Sequence, residues 1–327
     1  MSALLQVQDL TVELALDRHT RVSVASGASF QIGAGQIVGL FGESGCGKTT
    51  LALALLGLLP ADRYSVRGFV GLRQRDLLIL KERQLEEIRG EEISLVFQEP
   101  LLALNPVLRV RDQVAEVIRA HRTWTIQQCR REAEALFHVV GLPEWPRLYN
   151  AYPHQLSGGE RQRVVIAQAL ACRPALVIAD EPFSALDVTA QVELSSLFRE
   201  LKEKLGTSFL LISHSPGILT STADHILVMY AGRIVEQGSP QQVFRDPLHP
   251  YTAGLLRSVP PMPQQALQKA KRRFWTIPGN APDLRGRPKG CPFEPRCEDR
   301  MDICVSQMPG EFQPEGRRLV RCFKHEC

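Results

Sequence analysis

Eight consecutive residues, Gly42-Glu43-Ser44-Gly45-Cys46-Gly47-Lys48-Thr49, have the types and spacing of a loop that wraps phosphate. Glycines let successive backbone N–H groups curl around β- and γ-phosphate oxygens with no Cβ in the way. A helix beginning at Lys48 adds its positive N-terminal end. The Lys48 ammonium reaches the same oxygens, the Thr49 hydroxyl is a ligand for Mg²⁺, and Thr50 belongs to the same binding run. The implied chemistry is binding of ATP with Mg²⁺. A second group, Leu176-Val177-Ile178-Ala179-Asp180-Glu181, is four apolar residues followed by two carboxylates. A strand ending at Asp180 places that carboxylate at the Mg²⁺ shell, usually through water. Glu181 then sits at the γ-phosphate as general base for the attacking water. Standing alone, such a pair reads equally as the acidic start of a surface loop; downstream of a phosphate loop, hydrolysis is the better reading.

Leu156-Ser157-Gly158-Gly159-Glu160, just before a helical stretch, resembles the signature of ABC proteins. Ser157, the Gly158 and Gly159 N–H groups and Glu160 would meet a γ-phosphate at a helix N-terminus. In ABC proteins that phosphate belongs to the opposing subunit's ATP, so the resemblance implies two ATP molecules sandwiched between two nucleotide-binding domains. The rest of the family pattern falls in order. Gln98, in VFQEP, looks like the glutamine that senses Mg²⁺ and faces the transmembrane subunits. Ser184-Ala185-Leu186-Asp187 looks like the D-loop. His214, closing LLISH about 33 residues after Glu181, looks like the switch histidine that contacts the γ-phosphate. On this resemblance Lys48, Gln98, Glu181 and His214 carry catalysis, and Thr49, Gln98 and Asp180 hold Mg²⁺. Three positions depart from the family: Leu14 where an aromatic commonly stacks on adenine, Phe183 where a small hydroxyl residue is usual, and Ser215 where Asp usually follows the histidine.

Three further stretches are similar to the dipeptide and oligopeptide (peptide/nickel) importer ATPases: FQEPLLALNP from Phe97, DPLHPYT from Asp246, and the tail from Ile277 to Cys322. That tail holds Cys291, Cys297, Cys304 and Cys322. Four thiolates in a proline-rich segment with little core of its own suggest a metal centre supplying folding free energy. Soft sulfur ligands suit a [4Fe–4S] cluster or Zn²⁺, and the absence of a Cys-x₂-Cys pair weakens a zinc ribbon. The resemblance favours the iron–sulfur option, since some peptide importer ATPases carry such a cluster here; free or disulfide-forming thiols are the third reading.

The elements that must position these groups are legible too. Gln36–Phe41 reads as a short buried strand, Thr49–Leu58 as a helix, Ala175–Ala179 as a buried strand of the parallel kind, Gln191–Leu205 as a helix and Ser208–Ile212 as a strand. Leu4–Leu14 and the segments from Val22 to Ile32 read as antiparallel strands, and 110–140 as helical. The expected fold is α/β: a P-loop ABC nucleotide-binding domain over 1–250, with a RecA-like parallel core, an antiparallel β-subdomain, a helical subdomain about 100–160, and a cysteine-rich extension over 251–327. An apolar fraction of 44% with 23% charged residues is enough for a full core. The longest apolar run, Leu51–Leu59, is nine residues, far short of the ~20 that cross a bilayer, and the N-terminus lacks a signal-peptide pattern. The expected place is the cytoplasmic face of the inner membrane, bound through partners. The net +4 sits in the tail, where 12 Lys/Arg face 8 Asp/Glu from Lys271 onward; mixed signs argue for a solvated surface and against nucleic acid. The expected function is ATP hydrolysis that energises import of di- or oligopeptides, beside a second ATPase subunit (in a homodimer or heterodimer), two permeases and an extracytoplasmic solute-binding protein. Nickel or cationic antimicrobial peptides are alternative cargoes. A soluble ABC ATPase of translation or DNA repair is the rival class, disfavoured by one copy of each motif and only about 113 residues between Thr49 and Gln162.

Overall fold

The computed structural model describes the chain except residues 1–2, 18, 143–144, 185, 260–274, 281, 284–287, 315, 317 and 327. Ala185 of the D-loop stretch, Ala281 and Leu284 of the tail motif, and Cys327 therefore lie outside the described residues.

The chain begins with two 13-residue strands, β1 (Ala3–Ala15) and β2 (Arg21–Gly33), paired antiparallel. One strand runs from Arg21 where several were expected. Gly27, at φ 62°, is absorbed as an irregularity in the ladder, its N–H donating to Thr11 Oγ1 at 3.1 Å. Then come β3 (Ile37–Phe41), α1 (Lys48–Leu55), β4 (Tyr64–Leu72), β5 (Arg75–Asp76), α2 (Glu82–Ile88) and β6 (Ile93–Val96). Five helices follow: α3 (Pro100–Ala103), α4 (Val110–His121), α5 (Ile126–Val139), α6 (Trp145–Leu148) and α7 (Gly158–Ala169). After them the chain alternates through β7 (Leu176–Asp180), α8 (Val188–Leu205), β8 (Ser208–Ser213), α9 (Pro216–Thr222), β9 (His225–Tyr230), β10 (Arg233–Gly238), α10 (Pro240–Arg245) and α11 (Pro250–Ser258), and a late short strand, β11 (Leu319–Val320).

Two sheets result. A four-stranded antiparallel sheet has the order β2-β1-β4-β5, and a seven-stranded sheet the order β11-β10-β9-β3-β8-β7-β6. The run from β9 through β3, β8 and β7 to β6 is parallel. Its strands IVGLF, LVIAD and SFLLIS are buried at every position, as strands covered on both faces must be. The expected parallel core, antiparallel subdomain and helical subdomain are all present. Helix α1 stops at Leu55 rather than Leu58, because Gly57 turns left-handed at φ 63° and the Leu58 and Gly57 N–H groups return to Leu53 O at 2.9 Å and Ala54 O at 3.1 Å. In the helical subdomain, α4 buries Val110, Val114 and Ile118, and α5 buries Cys129, Ala133, Leu136 and Phe137. Each set follows the spacing of one helical face. Thr125 caps α5 in a reciprocal box with Gln128.

Residues past 250 share this core. Tyr251, Ile277 and Phe293 lie in one hydrophobic cluster with Val177, Ala179 and Tyr230. His249 caps α11, its Nδ1 accepting the Tyr251 N–H at 3.0 Å, and is 2% exposed. Burial, and secondarily the nearby His325, push this imidazole down to about 3 from 6.5. Between those values the unfolded chain holds the proton that the folded chain refuses. The contribution is therefore intact above pH 6.5 and is lost as pH falls towards 3. We expect a loss of up to about 1.4 kcal/mol per pH unit below 6.5 from this group. Melting curves at pH 7 and 5 check it: His249→Asn, which keeps a capping acceptor, should show a shallower decline, and an unchanged slope would refute the assignment.

Candidate functional site

The parallel strands bring the chemistry to one edge of the sheet. Phe41, the last residue of β3, pairs with Ser213, the last of β8; Asp180, ending β7, pairs with Ile212; and Val96, ending β6, pairs with Ala179. The glycine loop, Asp180-Glu181, His214 and Gln98 are thus the continuations of four neighbouring strands past their C-terminal ends, where open α/β sheets bind ligands.

The loop between β3 and α1 is tight. A Cβ on Gly42 would lie 2.3 Å from Met229 O, and Gly47 stands at φ 106° with Val24 O 2.8 Å from where its Cβ would be. Lys48 is 6% exposed, and its Nζ donates to the carbonyls of Gly42 and Glu43, both at 2.9 Å. Ser44, Gly45 and Thr49 are exposed and Thr50 half-buried along the same turn. Cys46 is buried in the core beneath the loop, where burial raises its thiol pKa despite Lys48 nearby. It packs as a small filler.

Asp180 is 5% exposed. Burial pushes its carboxyl above the usual range, opposed by a hydrogen bond from Thr49 and the charge of Lys48. Its Oδ1 is buried without a hydrogen-bond partner. An orphaned carboxylate oxygen beside a threonine hydroxyl is a donor set that fits a hard divalent cation such as Mg²⁺. Glu181 takes the left-handed backbone at φ 49°, its N–H donating to Ile212 O at 3.0 Å. Its Oε2 lies 2.9 Å from His214 Nδ1, with the carboxylate largely covered and the imidazole 62% exposed. Gln98 is exposed two residues beyond β6. Lys48, Thr49 and Asp180 interact with one another, and Glu181, next in the chain, with His214; Gln98 follows the neighbouring strand β6.

Ser157 to Glu160 are held separately. Ser157 caps α7, with the Glu160 N–H donating to Ser157 Oγ at 3.3 Å and the Ser157 N–H to Glu160 Oε2 at 2.7 Å. Glu160 also pairs with Arg147 at 3.2 Å. The box leaves the glycine-rich start of α7 at the protein surface, its helix end positive. Asp187 caps α8 by accepting the Ala190 N–H at 2.9 Å. Phe183, the departure from a hydroxyl residue, is 2% exposed and packs edge-on against Phe198 at 5.6 Å, so it serves the core. Ser215 donates its N–H to Ser213 Oγ at 3.1 Å. Leu14 pairs across the sheet with Tyr64 of β4, which puts an aromatic opposite the position where β1 lacks one.

The tail cysteines are drawn into one neighbourhood but not into a metal cage. Burial pushes the Cys291 and Cys297 thiols up to about 11 and raises Cys322, and the four sulfurs enter one another's surroundings. Cys291 N–H donates to Cys304 O at 2.8 Å. Among the described residues, no three His, Cys, Asp or Glu side chains are gathered so as to hold a metal ion, and the seven described cysteines are free thiols. The expected four-thiolate centre is therefore not assembled among the described residues. Two residues at the loop were missed from sequence: Tyr251 and Arg296, both bonded to Glu43. Tyr251 sits within the HPYT stretch, whose spacing carried no hint of this contact.

Comparison with known proteins shows the family. Residues 25–184 match the ABC transporter family, and 235–304 match the oligopeptide/dipeptide transporter C-terminal region. The chain is 42% identical to the oligopeptide transport ATP-binding protein of Salmonella typhimurium, over 99% of this chain and 94% of that one. It is 40% identical to the dipeptide transport ATP-binding protein of Bacillus subtilis, over 99% and 95%. Among solved structures it resembles the dimeric ABC transporter cassette MJ0796, at TM-score 0.64 and 25% identity, over 72% of this chain and 98% of that one. The same cassette, in a post-hydrolysis state bound to ADP and phosphate, matches equally.

Proposed function

The chain belongs to the ATP-binding subunits of ABC transporters, in the oligopeptide and dipeptide branch, and from that premise we propose that it hydrolyses ATP at this sheet edge to energise peptide import through partner permeases. The observation that carries the chemistry is the Glu181–His214 contact of 2.9 Å beside the orphaned Asp180 oxygen and the buried Lys48. Lys48 and the loop N–H groups receive the β- and γ-phosphates. Thr49, Asp180 and Gln98 would hold Mg²⁺, which neutralises phosphate charge. Glu181 takes a proton from water as the water oxygen bonds to the γ-phosphorus; the bond to the β–γ bridging oxygen breaks, leaving ADP and phosphate. His214 holds the Glu181 carboxylate in place and offers its exposed ring to the γ-phosphate.

The partners follow from what one chain leaves unfinished. Ser157, Gly158, Gly159 and Glu160 lie at the capped start of α7 rather than on the loop before α1, which supports a pair of ATPase subunits, as a homodimer or with a similar chain, each completing the other's site. No helix among the described residues is long and apolar enough to cross a membrane. Two permease subunits would supply the path and an extracytoplasmic binding protein the solute, with this chain on the cytoplasmic face of the inner membrane. The relatives' names favour peptides over nickel or cationic antimicrobial peptides, and transport over translation or repair. Reconstitution tests it: the complex that co-purifies from membranes should contain two permeases and accumulate labelled peptide in vesicles only with ATP. Co-purification with ribosomes or repair proteins, without permeases, would overturn the reading. An iron–sulfur or zinc centre on Cys291, Cys297, Cys304 and Cys322 is the finer reading of the tail, supported by their shared neighbourhood; iron, zinc and acid-labile sulfide analysis of protein prepared without oxygen decides it, and metal-free protein removes it.

A further inference from the structure

Glu43 is the second residue of the phosphate loop, and each of its polar groups is engaged. Its carbonyl accepts from Lys48 Nζ at 2.9 Å and from the Cys46 N–H at 3.3 Å. Its N–H donates to Tyr251 Oη at 2.8 Å. Its carboxylate takes both arms of the Arg296 guanidinium, at 2.9 and 3.0 Å. Two of these four partners come from residues past 250. Tyr251 is the second residue of α11, and Arg296 ends the short 3-10 turn Glu294–Arg296, directly before Cys297.

Both partners are rigidly seated. The Arg296 side chain is 7% exposed, its Nε donates to Pro278 O at 3.0 Å, and its Nη1 donates to Tyr230 Oη at 3.4 Å. Tyr251 is fully buried, in ring contact with Tyr230 at 4.4 Å and with Phe293 at 5.5 Å. The tail thus presents a stiff aromatic and guanidinium buttress to a single residue of the loop.

That residue is an acid in a loop built for a polyanion. A free carboxylate there would repel the phosphates, and it has a competing partner in the Lys48 ammonium, which already rests on the Glu43 carbonyl. The two-armed pair with Arg296 neutralises the charge and fixes its direction. We infer that Arg296 and Tyr251 are positioning residues for ATP binding: the tail holds the Glu43 carboxylate away so that Lys48 is left to the phosphates. This rests on reading the loop as the ATP site.

The test is the dissociation constant for ATP–Mg²⁺ of the purified full-length chain, by calorimetry, with melting curves alongside. Arg296→Met should weaken binding about tenfold, since it frees a half-buried acid beside the ligand. Adding Glu43→Gln to that variant should restore binding to within about threefold of wild type, because the competing charge is gone. A residue that merely props the fold would not be rescued by neutralising its partner. Wild-type affinity in Arg296→Met, or a double variant as weak as the single, would overturn the inference. Should Arg296→Met not fold, Arg296→Lys keeps the charge but loses the fork; binding should weaken about threefold and recover with Glu43→Gln, and unchanged affinity counts against the inference. Wild-type protein that fails to bind ATP removes the reading of the site itself, whereas binding indifferent to these changes removes only the role of the tail.

Discussion

Glu181→Gln is expected to lower ATP turnover by about 10²- to 10⁴-fold, the range a positioned general base supplies, while ATP still binds. The substitution preserves volume, and the amide oxygen still accepts from His214 at the 2.9 Å contact. The backbone at φ 49° is set by the strand end and by the bond to Ile212 O rather than by the carboxylate, so it should survive. What disappears is the proton acceptor. Phosphate release under saturating ATP, with bound ATP measured in parallel, separates the two effects. In the two-subunit site proposed for this chain, the variant should also stay paired in ATP, because closure precedes hydrolysis; size-exclusion chromatography with ATP–Mg²⁺ reads this. Retained wild-type turnover would remove Glu181 from the role of base.

The second large effect is on stability and falls on the tail's anchor. Glu236 on β10 is completely buried and Arg318 nearly so, with Arg318 Nη2 donating to Glu236 Oε1 at 3.0 Å. Glu236 also accepts the Leu248 and His249 N–H groups at 2.9 and 3.0 Å, and Arg318 Nη1 pairs with Asp246 at 3.2 Å. The carboxylate therefore ties the sheet edge, the start of α11 and the tail before β11 together. Arg318→Met removes the only cation at Glu236 among the described residues and leaves a buried charge uncompensated. Such a loss costs about 3–5 kcal/mol. Denaturant unfolding should show it, and Glu236→Ala should do at least as much damage by orphaning two amides as well. A loss under about 1 kcal/mol would mean that the carboxylate is solvated and the tail is anchored elsewhere.

Much of this was legible in order along the chain. Gly42 to Thr49 and Leu176 to Glu181 could be read because phosphate binding and metal-assisted hydrolysis need fixed residue types at fixed spacing on a strand end. The buried strands could be read because parallel sheets demand unbroken apolar runs. Boundaries were less legible: α1 ends early through a glycine cap, and Val22 to Ile32 is one strand because a bulge absorbs Gly27. The tail was read by its cysteines, which pull attention to metal chemistry, although their sulfurs do not gather into a cage among the described residues.

What the sequence by itself determined is which residues are candidates for the chemistry proposed here: a glycine loop, two carboxylates at a strand end and a histidine closing the next strand, each specified by a short local pattern. Only the tertiary structure decided how these are held. Glu43 and Arg296 are 253 positions apart, and Glu236 and Arg318 are 82 apart; no local periodicity encodes such pairs. They exist because the chain past residue 250 folds back into the core of the ATPase and carries its charged groups to partners that burial would otherwise leave alone.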